Sequence, residues 1–223
     1  MVTIAMFQQL VGLTVILMEF ASSLISFIVG YYAMKGYRSS GAKGLFLLYL
    51  GFLILGVGIF LRVVTATYFA VILRAYETAG VHLSGLANLA ALLFTVTQLA
   101  AYGLFTATYV LQAVNIGKRS VAELGAVSAA AVPIFKLFFI PQLELVAITL
   151  LGFITVYTFT NWLLRRGPGT ALVFFGFGFM LVSHLFFLLM IVDEVFLFLG
   201  QATQLVGFVC LLAMLAKVSR TNG

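Results

Sequence analysis

Long apolar runs, broken by short polar clusters, set the pattern of this chain. Punctuation by charge, glycine and proline divides it into seven segments: 9–34, 44–72, 84–114, 120–139, 142–164, 169–191 and 195–217. A helix needs about 20 apolar residues to cross the hydrocarbon core of a bilayer. The pattern therefore predicts an all-α fold, a polytopic membrane protein with seven transmembrane helices, here called spans one to seven. Spans two and three exceed the need and are expected to tilt or project.

The positions of the charges then orient the spans. The connections after spans one, three and five and the C-terminal tail carry Lys35, Arg38, Lys43, Lys118, Arg119, Arg165, Arg166, Lys217 and Arg220, nine of the twelve basic residues. The other side carries Arg74, Glu77, His82, Glu144, Asp193 and Glu194. Basic loops stay cytoplasmic, so the C-terminus is expected inside and the N-terminus outside. Glu123 falls in the first turn of span four, where it suits the positive end of a helix.

An internal repeat is the most informative signal. Gly44, Gly51 and Gly58 in span two recur as Gly169, Gly176 and Ser183 in span six, at an offset of 125 residues. The same offset carries Glu19 onto Glu144 and Tyr32 onto Tyr157. Spans three and seven share TQLAAYG and TQLVGFV at a shorter offset, 97–103 against 203–209, which makes RAYETAGVH an insertion in the loop after span two. The expected organisation is one transmembrane domain, 1–223, built as a 3+1+3 parallel repeat: 1–114, a linker helix at 120–139, and 142–217. Three spans are an odd number, so one extra crossing is what lets the second copy keep its orientation. Ala-rich span four, with Pro133 and Lys136, has the character of a linker. The glycine stripe and Ser183 are read as helix-packing positions.

Composition narrows the class further. The chain is 64% hydrophobic and 8% charged, against roughly 25% charged in a soluble domain. A chain of this length has no soluble core large enough to hide that apolar area. The net charge of +6 is distributed as membrane-orienting clusters, and no nucleic-acid partner is expected. Cys210 is the only cysteine and reads as a small hydrophobe. The start of the chain lacks a basic n-region, so span one is expected to be retained.

In topology the 3+1+3 arrangement resembles SWEET sugar transporters, nicotinamide-riboside carriers and other PQ-loop-type membrane proteins, and it is compatible with the seven-helix layout of opsins. Pro141-Gln142 forms a PQ pair at the start of span five, whereas the matching place in span one is Ile16-Leu17. The prolines that SWEET-type proteins carry in paired helices are missing from the cores of spans one, two and six. Lys217 lies at the inner end of span seven, so a retinal Schiff base is not expected.

Candidate chemistry follows from depth. At 1.5 Å per residue, Glu19 lies about 24 Å from the level of Lys35, and His184, Gln204 and Arg62 lie about 22, 20 and 28 Å from their own inner markers. Glu19, Arg62, His184 and Gln204 are thus expected in one layer of the outer half, as a ligand-binding set. Ionisable groups inside a membrane are costly and point to function. Glu19 would accept a proton, cation or amine, His184 would exchange protons, and Gln204 would orient a ligand. The plainer expectation is that Glu19 and Arg62 pair with each other. Two histidines and one cysteine offer no zinc set, and no cofactor, haem included, is expected. Ser183 beside His184 is no nucleophile pair, since neighbours on a helix point about 100° apart. The function expected is a carrier- or channel-like protein for a small solute or proton, more readily than an enzyme. The alternatives are a non-catalytic subunit of a larger membrane complex and a membrane ligand sensor. The partners expected are the lipid bilayer and either further copies of the chain or other membrane subunits.

Overall fold

The computed structural model describes residues 2–75, 80–116, 140–193 and 195–221. Among these, six helices form: α1 (Val2–Ser40), α2 (Lys43–Ala75), α3 (Gly80–Ile116), α4 (Ile140–Arg165), α5 (Pro168–Leu189) and α6 (Val195–Thr221). Each contains a stretch long and apolar enough to cross a membrane. The chain is therefore an all-helical, multi-pass integral membrane protein. Spans one, two, three, five, six and seven correspond to α1–α6. Span four, 120–139, lies outside the described residues with Glu123, Pro133 and Lys136.

In lipid every backbone group must be satisfied within its own segment, and the helix ends show how this is achieved. Gly41, with φ 67°, closes α1 by donating its N–H to the Tyr37 carbonyl at 2.8 Å. Arg166, with φ 45°, closes α4 on the Trp162 carbonyl at 2.7 Å. Pro168 then opens α5, a position where its missing N–H costs nothing. Asp193 Oδ1 accepts the Val195 N–H at 2.9 Å and caps α6.

The predicted loop between spans two and three needs correction. Arg74 ends within α2 and His82 lies within α3. The described residues of RAYETAGVH, 74–75 and 80–82, lengthen the two helices.

Packing is antiparallel within α1–α2–α3 and within α4–α5–α6. Ser23 Oγ and Ser26 Oγ of α1 donate to the Gly56 and Phe52 carbonyls of α2 at 3.0 and 2.8 Å. The two groups of three meet through α1 against α6 and α3 against α4. Contacts at both ends of α3 give its direction relative to its neighbours. Tyr102 meets His184 and Tyr109 meets Phe177, so α3 and α5 run oppositely. Glu144 meets His184 and Phe159 meets Phe174, so α4 and α5 run oppositely too. Hence α3 and α4 are parallel, and Ile116 and Ile140 lie at opposite ends of the bundle.

The offset read from the glycines also relates the structural details of the two groups. Ser40, Gly41 and Lys43 end α1, turn the chain and start α2; 125 residues later Arg165, Arg166 and Pro168 do the same. Buried Gly51, Phe52, Leu55, Gly58 and Ile59 on α2 correspond to buried Gly176, Phe177, Met180, Ser183 and His184 on α5. At the offset of 106, buried Thr95, Gln98, Ala101, Tyr102 and Phe105 on α3 correspond to buried Gln201, Gln204, Gly207, Phe208 and Leu211 on α6.

The glycine contacts match as well. A β-carbon on Gly51 would strike the Phe105 ring and approach the Ala101 carbonyl, and one on Gly176 would strike Leu211 and approach the Gly207 carbonyl. Gly58 abuts Thr97, and the Gly44 carbonyl accepts from Thr108 Oγ1 at 3.4 Å. Gly169 differs, because a β-carbon there meets nothing. Gly51→Ala and Gly176→Ala are each expected to cost about 1–3 kcal/mol by overpacking. Gly169→Ala should lie within about 0.5 kcal/mol of the parent, the usual range for a substitution away from packed contacts. Thermal unfolding in one detergent would show two lowered midpoints and one unchanged.

The surface and core are distributed as lipid requires. Leu17, Leu24, Ile28, Val57, Val96, Val156 and Val209 are exposed, while Glu19, Ser22, Gln98, Gln201, Gln204 and His184 are buried. Aromatic rings fill the centre: Phe52 against Phe105 at 4.6 Å, Phe105 against Phe177 at 5.8 Å and Tyr109 against Tyr157 at 5.2 Å between centroids.

Candidate functional site

All six helices send polar side chains into one layer. On α1, Glu19 is buried and its Oε1 receives two partners. Arg62 Nη2 of α2 lies 3.3 Å away, and Gln201 Nε2 of α6 donates at 2.8 Å. The Arg62 side chain is 33% exposed and that of Glu19 5%, so the pair stands at the edge of the polar core with the carboxylate inward. The Arg62 guanidinium also sits 4.7 Å above the centre of the Phe94 ring, a cation–π contact that holds its stem against α3.

The second cluster centres on His184 of α5, whose ring is fully buried. Its Nδ1 meets Glu144 Oε2 of α4 at 2.5 Å, and its Nε2 meets the Tyr102 hydroxyl of α3 at 2.7 Å. Gln98 Nε2 lies 3.1 Å from both the Tyr102 hydroxyl and His184 Nε2. A carboxylate accepts, so His184 carries a proton on Nδ1, and in the neutral ring Nε2 accepts from the Tyr102 O–H. Tyr102 in turn receives the Gln98 amide. Edge-on contacts of the His184 ring with Tyr102 at 5.3 Å and Phe187 at 5.6 Å fix its plane. Glu144 has 16% of its side chain exposed and forms the outer end of this chain of hydrogen bonds.

Gln204 of α6 lies between the two clusters. It is one turn from Gln201 on the same helix face, and it is buried. Its Nε2 nevertheless has no hydrogen-bond partner within bonding geometry, and neither do Gln201 Oε1 and Ser22 Oγ.

Of the four residues expected from sequence, Glu19 and Arg62 pair directly. His184 binds Glu144, Tyr102 and Gln98 instead of either of them. Gln204 is buried beside the second cluster. Depth arithmetic missed Gln98, Tyr102, Glu144 and Gln201. The signals were present: Glu144 lies at the offset of 125 from Glu19, and Gln98 and Gln204 hold the same place in the shared TQL segment. Gln201 had no such marker. Ser183 turns its hydroxyl to the Met180 carbonyl of its own helix at 2.6 Å and takes no part in the cluster.

The layer has polar residues on one side and aromatic ones on the other. Further along α3, toward the end that carries Lys35, Arg38 and Lys43, come Phe105 and Tyr109, packed with Phe52, Phe177 and Tyr157. Among the described residues, no three histidine, cysteine, aspartate or glutamate side chains come together as a metal-binding group. Comparison with protein-family models, curated proteins and solved structures finds no match, so the geometry alone carries the functional reading.

Proposed function

We infer that the chain is a carrier-like membrane protein that binds a small solute or exchanges protons in this polar layer. The observation that carries the reading is the convergence itself. Six helices place two carboxylates, one arginine, one histidine, a tyrosine and three glutamines at one level of a protein whose described charges otherwise sit near its ends. Such groups are expensive inside a membrane, and packing alone would favour apolar side chains of similar volume.

The inferred architecture is seven spans in a 3+1+3 parallel repeat. Matching turns, buried faces and glycine contacts at the two offsets support the repeat. The parallel course of α3 and α4 supports the linker crossing expected at 120–139, since Ile116 and Ile140 lie at opposite ends. In parallel-repeat transporters, substrate sites lie at the interface between the repeats, near the bilayer midplane. The polar layer occupies that interface, displaced toward the less basic end. The positive-inside rule assigns the end with Lys35, Arg38, Lys43, Arg165, Arg166 and Lys217 to the cytoplasm, leaving the polar layer in the outer half and the aromatic layer as its inner closure.

Glu19 and Glu144 occupy equivalent places in the repeat but have different partners. Glu19 is held by the fixed cation of Arg62, whereas Glu144 is hydrogen-bonded to His184, from which the chain of hydrogen bonds continues to the Tyr102 hydroxyl and Gln98. The second half is therefore the one suited to proton exchange. Reconstituted vesicles loaded with a pH indicator test this. Wild-type protein is expected to dissipate an imposed proton gradient faster than protein-free vesicles, and Glu144→Gln is expected to remove most of the difference.

A further inference from the structure

We propose that α1 and α6 form, between Ser22, Gln201 and Gln204, a binding site for a small neutral molecule that both donates and accepts hydrogen bonds. This deepens the carrier reading and rests on it only for the molecule's role as cargo; the site itself stands on geometry.

Four buried polar atoms lack a hydrogen-bond partner among the described residues: Ser22 Oγ, Gln201 Oε1, Gln204 Nε2 and Thr155 Oγ1. Thr155 lies on α4, away from α1 and α6. The other three belong together. Gln201 reaches Glu19, which fixes the register of α6 against α1. Both helices run parallel to α3 and hence to each other. One turn further along, about 4.5 Å, α1 presents Ser22 and α6 presents Gln204. Ser22, Gln201 and Gln204 are 1%, 1% and 3% exposed, so bulk water does not satisfy them. Neighbouring Ser23 and Ser26 turn to α2 carbonyls, which leaves Ser22 as the serine of this turn whose hydroxyl is not engaged.

A buried polar group without a partner is costly. Three such atoms on facing helix turns mark a place built to hold something. The chemistry of the occupant follows from what is free. Gln201 offers an acceptor, because its amide nitrogen is engaged by Glu19. Gln204 offers a donor, and Ser22 offers either. All three are neutral. The nearest charges, Glu19 and Arg62, already neutralise each other. An ion placed here would stand without a counter-charge in a buried setting, a large penalty. A primary amide or urea carries an N–H for Gln201 and a carbonyl for Gln204 side by side, and water offers the same pair in smaller form.

The test uses the full chain in nanodiscs with acetamide as probe and acetate and methylammonium as charged controls. Saturation-transfer NMR is expected to show transfer to acetamide at least fivefold above that to either ion, and Gln204→Met is expected to abolish it. Ser22→Ala, a smaller change, should weaken transfer severalfold and guards against misfolding of the methionine variant. An infrared O–H band that shifts in ¹⁸O-water and vanishes in Gln204→Met, without acetamide transfer, identifies water as the occupant and keeps the proposal. Equal signals in the wild type and both variants, stronger transfer to an ion, or neither signal would overturn it. Binding without vesicle flux removes the carrier and keeps the site. Flux unchanged in Gln204→Met and Ser22→Ala, with no binding, removes the site and keeps the carrier.

Discussion

Arg62→Met is expected to lower stability by about 2–4 kcal/mol, because it leaves the Glu19 carboxylate buried without its cation. Gln201 remains as a single hydrogen-bond donor, too little to replace a charge. Arg62 is partly exposed, which holds the loss below that of a fully enclosed pair. Adding Glu19→Gln removes the stranded charge, and the double variant should recover more than half of the loss. The double-mutant cycle isolates this coupling, read as unfolding midpoints in lipid–detergent bicelles. A double variant no better than Arg62→Met would mean that the arginine acts by packing on Phe94 rather than by pairing.

His184→Ala is expected to have a second large effect, about 3–5 kcal/mol, by a different mechanism. The ring is fully enclosed, so its removal leaves a cavity between α3, α4 and α5. It also strands Glu144 and the Tyr102 hydroxyl, which meet its two nitrogens. Tyr102→Phe removes two hydrogen bonds, to His184 and from Gln98, and almost no volume, and should cost about 1–3 kcal/mol. The ratio between the two is the diagnostic. If Tyr102→Phe were as damaging as His184→Ala, the tyrosine rather than the histidine would organise the cluster. Unfolding followed by tryptophan emission is suitable, since Trp162 is the only tryptophan and stacks on Phe174, away from both substitutions.

The sequence made the membrane class legible because lipid imposes the harshest constraint on composition: an apolar run near 20 residues has few other uses. It made the offset of 125 legible because helix approach at Gly51 and Gly176 leaves no room for a β-carbon. Where that pressure is absent the stripe carries nothing, as at Gly169. Depth along a helix was also legible, since rise per residue is constant. Partner choice was not. Depth arithmetic put Arg62 and His184 at one level, but rotation about each helix axis sends Arg62 toward α1 and His184 toward α3 and α4. Buried glutamines and tyrosines resemble surface ones until the facing helix is known. Gln98 and Tyr102 therefore emerged only once α3 was seen against α5.

Within the proposed repeat the two halves differ in chemistry. Ile59 of α2 and His184 of α5 lie 125 residues apart and are both buried. The first half leaves that place apolar and supplies its cation one turn later, from Arg62. The second half uses the place itself for an imidazole ring engaged at both nitrogens. This gives one arginine–carboxylate pair and one imidazole–carboxylate pair across a common interface.

The central claim is that the layer works in transport rather than in packing alone, and vesicle flux tests it most directly. Wild-type protein, Glu144→Gln and a Gly169→Ala control would be reconstituted at equal density, and dissipation of an imposed proton gradient followed with and without acetamide. The account predicts faster dissipation with wild type and the control than in protein-free vesicles, and near-baseline rates with Glu144→Gln. Acetamide in wild-type vesicles should change the rate at least twofold. Wild-type rates equal to those of protein-free vesicles in both conditions would contradict it, leaving the polar layer as a structural feature of a membrane subunit.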